Sequence, residues 1–240
     1  MNDAIAFEVG RVDEAAAGPR TLASAVYARL RADILSGRCR PSEKLLIASL
    51  GKRFNVSVAS VREALARLVG DGLVVAEDQR GFRVPPLRVD DLMDATHTRI
   101  ELETLALRRS IERGDEAWER GLRHAWRELQ SVPYTSPDDR SRHTDAWSAA
   151  HGRFHAQLVA ACGLEWLLKF RAVLYEHTER FRHIGFALKP STRDVHAEHQ
   201  RIVEATLARD AERATAELAQ HFEATAAAIA SALKQSPDPR

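Results

Sequence analysis

Ten histidines are scattered through the 240 residues, and four of them have spacings that could hold a metal ion. In the run H-G-R-F-H, His151 and His155 are four apart, so both imidazoles fall on one helix face while Phe154 points elsewhere. His199 and His221 each lie eleven residues from Asp210, where a turn is expected. Eleven residues is about 16 Å of helix. In an antiparallel helix hairpin the two histidines therefore stand at the same height and can face the same side. Four neutral imidazoles converging inside a helical bundle would bind a divalent transition metal. Spacing alone leaves ordinary surface or core packing open as the alternative. His196, one turn before His199, is a lesser candidate, and His124, His143, His177 and His183 read as structural or exposed.

A second group of chemically capable residues is cationic and lies near the N-terminus. Between Thr21 and Arg88 there are 12 Lys/Arg against 6 Asp/Glu, whereas from Val89 onward there are 21 against 24. A basic front and a mildly acidic rear suit a protein whose front meets a polyanion, although a merely solvated basic face gives the same numbers. Ser57, Ser60, Arg62 and Arg67 share the polar face of a helix expected over 58–70. Arginine is shaped for bidentate contact with guanine, and serine suits phosphates or either base type. Lys52 and Arg53 precede that helix and can reach phosphates. Arg80 and Gly81 fall at a hairpin tip, where glycine permits a positive φ and a close backbone approach to DNA.

Apolar periodicity supplies the elements that must position these groups. Leu22, Val26, Leu30 and Ile34 mark a helix over 21–36, stopped at Gly37. A second helix is expected over 43–54, with apolar Leu46, Ile47, Leu50 and Phe54. Ser57 can cap the third, whose inward residues are Val61, Ala64, Leu65 and Leu68. The β-rich runs 73–76 and 81–84, separated by polar residues, give a hairpin. Pro85-Pro86 marks a boundary, because it breaks both ladder and helix. Beyond it helices are expected near 90–113, 115–130, 141–162, 164–186, 192–208 and 211–234, with no strand candidates. The fold class is thus mainly α: an N-terminal winged helix-turn-helix over 21–86 and a C-terminal all-helical bundle over 90–234. Residues 1–20 are read as a disordered arm and Ser236–Arg240 as a frayed tail.

The composition, 45% hydrophobic and 29% charged, is that of an ordinary globular protein. No apolar run is long enough to cross a membrane, and Met1–Arg20 has no signal-peptide core, so the cytoplasm is the expected location. Cys39 and Cys162 are far apart and lack metal or redox spacing.

Three helices followed by a hairpin place the third helix in a DNA major groove. The string V-S-x-x-x-V-R-E-A-L-x-R-L-x-x-x-G-L-V, followed by G-F-x-V, resembles the N-terminal domain of GntR-family regulators. By that resemblance Arg62 matches a DNA-contacting arginine of the recognition helix, and Gly81 matches the wing glycine. Three positions depart from the pattern. Val58 and Ala48 stand where the family commonly has arginine, and Ser42 replaces the usual glycine after Pro41. The departures imply an operator unlike those of better-known relatives, with Lys52 and Arg53 carrying more of the backbone contact.

Residues 92–230 resemble, more loosely, the FCD effector domain of the FadR-like subgroup. Metal-binding members carry D-x-x-F-H, then a histidine, then another 22 residues on. Here His155, His199 and His221 keep that register and His151 replaces the aspartate. The change implies either an all-nitrogen site favouring Zn or Ni over Mn, or three ligands with His151 facing the effector. Arg99 falls where relatives place an effector-binding arginine, which could clamp a carboxylate bidentately or pair with Glu103 instead. Arg180 and Arg182 are further candidates.

The expected protein is therefore no enzyme. It is a transcriptional regulator, with repression the expected mode, binding two-fold operator DNA as a homodimer and controlled by a small organic acid beside the metal. Two alternatives stand: a metal-dependent hydrolase fused to a winged helix, and a structural metal in an interaction module. Against the hydrolase there is no H-E-x-x-H motif, and Glu198, the only nearby acid, is expected to point to another face.

Overall fold

A computed structural model describes residues 21–77, 80–189 and 193–235; the N-terminal arm and the C-terminal tail expected from sequence lie outside them. The chain opens with helix α1 (Leu22–Leu35), whose N-cap Thr21 accepts the Ser24 N–H, and which buries Val26, Leu30 and Ile34. Helix α2 (Ile47–Phe54) ends at Asn55, held in the left-handed region at φ 54°. Helix α3 (Val58–Gly70) begins at Ser57, whose hydroxyl accepts the Ser60 N–H, and buries Val61, Ala64, Leu65 and Leu68 against α1.

The expected second helix is shorter than its apolar pattern. Lys44–Leu45 forms strand β1, which pairs antiparallel with β3 (Gly81–Arg83), and β3 pairs with β2 (Val75–Glu77) to give sheet order β1-β3-β2. Pairing in the sheet fixes the side of each residue, so Leu45 is buried while Leu46, expected on the apolar face, is exposed. Strand β2 also starts later than its β-rich run, because Leu73 and Val74 turn into the core instead of the hairpin.

After Pro85-Pro86 come α4 (Val89–Arg113), α5 (Glu116–Ser131), α6 (Asp145–Leu158), α7 (Glu165–Leu188), α8 (Val195–Leu207) and α9 (Ala211–Gln235). Their common core contains Leu107, Leu122, Trp147, Phe154, Ile202 and Leu218. Helix α6 starts four residues later than its periodicity suggests. Thr135 and His143 form a β-bridge, and Thr144 then caps the helix by accepting the Trp147 N–H at 2.9 Å. That bridge folds His143 inward. The N-terminal head rests on α7: Arg31 pairs with Glu176, and Arg180 donates to the Pro86 carbonyl at 3.3 Å. Among the described residues no helix is long and apolar enough to cross a membrane, and both cysteines are free and buried.

Candidate metal centre and nucleic-acid interface

Helix α6 places His151 and His155 on one inward face, α8 supplies His199 and α9 supplies His221. The α8–α9 register is set at Asp210, which caps α9 by accepting the Arg213 N–H at 3.0 Å. All four imidazoles are buried, and one nitrogen from each lies within 4.8 Å of the others. The Nε2 atoms of His151 and His155 are 3.1 Å apart, while Nδ1 of both rings and Nε2 of His199 are buried without a hydrogen-bond partner. An orphaned buried nitrogen carries a desolvation cost, which a metal ion at the cluster would offset for His199 Nε2. The cluster is thus compact enough for the four imidazoles to converge on one ion.

Electrostatics keep the rings in the ligating form. Burial, reinforced by repulsion among the histidines, holds His151, His155 and His199 well below the ordinary imidazole range. Burial also lowers His221, even though Glu198 acts in the opposite sense.

Glu198 corrects the sequence reading. It does not point away: its Oε2 lies 2.8 Å from His221 Nδ1. Burial pushes its carboxyl up, but bonds from His221 and Arg193 outweigh that and bring it below the usual carboxylate range. The contact fixes the His221 tautomer and leaves Nε2 as the ring's free nitrogen. The same hairpin arithmetic that pairs residues 199 and 221 also sets 198 opposite 222, so the signal was present in the sequence.

A cavity open to solvent borders His151 and His221 together with Arg99, Arg182, Trp147 and Phe222. Arg99 donates to Glu103 at 3.1 Å and to Thr178 Oγ1 at 2.9 Å, and its guanidinium lies 4.0 Å from the Phe222 ring centre. Its Nη2 has no partner. Arg99 thus makes the ion pair with Glu103 and also borders the cavity. Arg182 is gripped by both oxygens of Glu179 at 2.7 and 2.6 Å, whereas Arg180 serves the joint with the head. His143 also lines the cavity, stacked on Phe186 at 3.9 Å. The structural-or-exposed reading did not foresee this, because His143 lies in a connection without periodicity. His196 lies outside the cluster, beside Gln130 and Trp126.

In the head, Arg62 is exposed and has no hydrogen bond, ion pair or ring contact with any described residue. Lys52 is likewise exposed. Ser57 and Ser60 are hydrogen-bonded to each other at 3.1 Å. Arg67 is engaged elsewhere, with its guanidinium 4.1 Å from the Tyr27 ring centre and a bond to Ser24. Arg53 pairs with Asp33, a fully buried carboxylate that also takes Arg38. Arg80 and Gly81 are exposed at the wing, with Gly81 at φ 91°.

A basic three-helix head with a wing, set on a helical bundle, defines the class of winged-helix transcription regulators. Residues 22–84 match the family described as bacterial regulatory proteins, gntR family, and residues 94–224 match the FCD domain. The chain is 38% identical over 213 residues to an uncharacterized HTH-type transcriptional regulator, BphR, of Paraburkholderia xenovorans, covering 89% of this chain and 87% of that one. It is 32% identical over 203 residues to the HTH-type transcriptional repressor GlaR of Escherichia coli, covering 82% and 90%. Among solved structures, E. coli McbR/YncC superimposes with a TM-score of 0.70 at 21% identity, covering 87% of this chain and 97% of that one. A GntR regulator of Rhodococcus sp. RHA1 gives 0.71 at 20% identity, covering 89% and 98%. The chain belongs to the GntR family of bacterial transcription regulators, with an FCD domain as its C-terminal half. Its relatives are regulators and not enzymes, and the hydrolase reading falls with that.

Proposed function

We propose that this regulator is a homodimeric, operator-binding repressor released or set by a small carboxylate. The effector binds beside a divalent transition metal, Zn or Ni, held by His155, His199, His221 and His151. The chain divides at Pro85-Pro86 into a DNA-binding domain over 21–86 and a ligand-binding and dimerisation domain over 90–234, and its DNA role sets it in the cytoplasm. The observation that carries the reading is the adjacency of two things. His151 and His221, two members of the buried, neutral imidazole cluster, border the same cavity as Arg99 and Arg182. A bound metal would supply Lewis acidity toward an anion. Arg99 offers a guanidinium to a carboxylate, and the Glu179 grip fixes Arg182. A structural metal in an interaction module would need no such cavity.

Helix α7 links the cavity to DNA. Thr178, Glu179 and Arg182 line the cavity, and Glu176 and Arg180 of the same helix hold Arg31 and Pro86 of the head. An effector shifts the head equilibrium only as far as its affinity differs between the two states. On the DNA, Arg62 reads a base, Lys52, Ser57, Ser60 and Arg80 meet the backbone, and Gly81 lets the wing approach; Arg53 and Arg67, held by Asp33 and Tyr27, flank that surface. The repressive sign follows the name of the E. coli relative.

The test is thermal unfolding of the full chain with Zn or Ni across small mono- and dicarboxylates, with and without chelator. A true effector at a hundredfold excess over its Kd adds about 2.7 kcal/mol, a rise of several degrees, and loses that gain when chelator is present. The double variant His199→Ala, His221→Ala should lose metal and response together. An undiminished response in that variant overturns the metal-dependent reading.

A further inference from the structure

We infer that Val58 reads the 5-methyl group of a thymine, so that this regulator selects an A·T pair in each half-site opposite the first turn of α3. The inference rests on α3 being the base-reading helix.

Val58 is the first residue of α3 and is 51% exposed, although its side chain is a branched hydrocarbon. Single exposed apolar side chains are common. Here, however, three meet at one place: Val58, Leu22 (62% exposed) and Ala48 border a shallow hollow edged by Lys52. The hollow flanks the end of the helix that enters the groove, and recognition helices touch base edges with their N-terminal residues. Arg62 lies four residues on, on the same face, unpartnered.

Val58 can neither donate nor accept a hydrogen bond. In the major groove the apolar group that distinguishes one natural base from the others is the thymine methyl. The hollow thus offers hydrocarbon where a polar side chain would read an acceptor or donor. Four residues of helix rise about 6 Å, so the thymine should fall within about two base-pair steps of the base that Arg62 contacts.

The experiment is selection of bound duplexes from a random library by the full-length protein, its Val58→Ala and Val58→Arg variants, and Arg62→Ala. The expected wild-type consensus carries a guanine and a nearby thymine in each half-site. Val58→Ala should relax the thymine alone, and Val58→Arg should replace it with guanine. Changing that thymine to uracil in the selected duplex removes one methyl and should weaken wild-type binding about fourfold per half-site, while leaving Val58→Ala binding unchanged. Equal wild-type affinity for the thymine and uracil duplexes, or a Val58→Ala consensus that keeps its thymine, overturns the inference. If Arg62→Ala leaves the consensus intact, the base-reading face itself is misassigned and the Val58 assignment falls with it. Loss of the guanine in Arg62→Ala, with no uracil effect in the wild type, rejects Val58 alone.

Discussion

Replacing Glu198 tests the metal reading at one remove from the ligands. Its Oε2 sits 2.8 Å from His221 Nδ1, and its other contacts are to Arg193, whose Nε donates at 3.0 Å. In Glu198→Ala the His221 ring loses the acceptor that fixes its tautomer, and one carboxylate charge is removed from beside the cluster. Partners of this kind govern metal affinity by about 10–100-fold. Since both the tautomer and the local charge change here, the alanine variant should sit at the upper end. Glu198→Gln keeps an oxygen that can accept from Nδ1 and loses only the charge, so it should sit near the lower end. Calorimetric titration of chelator-stripped protein with Zn or Ni at pH 7 gives both affinities, and urea unfolding of the metal-free forms shows whether the fold is intact. Wild-type affinity in a folded Glu198→Ala variant would refute the argument, because His221 would then not bind through the nitrogen that Glu198 orients.

Two further outcomes are expected. Burial lowers His143 to about 2 and His183 to about 4, so the folded state holds both neutral while the unfolded chain protonates them near 6.5. Their contribution is present above that value and is lost as pH falls through it. Moving the metal-free protein from pH 7 to 5 should therefore remove about 2 kcal/mol for each of these two, with a loss of the same sign from the likewise depressed His151, His155 and His199, read by urea unfolding, and flat stability across that range would contradict it. Second, Trp166, Phe170 and Val173 form an exposed apolar stripe at helical spacing on α7, which we assign to the contact between two copies. Trp166→Glu combined with Phe170→Glu should reduce the solution mass from two chains to one without unfolding, and a dimer that persists would place the contact elsewhere.

What was legible in the sequence follows from local physics. Helix periodicity and capping fixed α1 and α3 to within a residue, because Ser57 and Gly72 mark the ends of α3 through backbone groups a few positions away. The four histidines were legible for the same reason: an i,i+4 pair on one helix and a hairpin centred on Asp210 are both consequences of helix geometry. The tertiary structure alone decided the rest. Strand β1 is two residues long and exists only because β3, nearly forty positions away, accepts its pairing, so no local pattern announces it. His143 enters the cavity because a bridge to Thr135 folds an aperiodic connection inward. The choices of Arg53 for Asp33 and of Arg67 for Tyr27 are likewise long-range. A long cationic side chain reaches several partners at similar energy, and only the packed arrangement of helices selects among them.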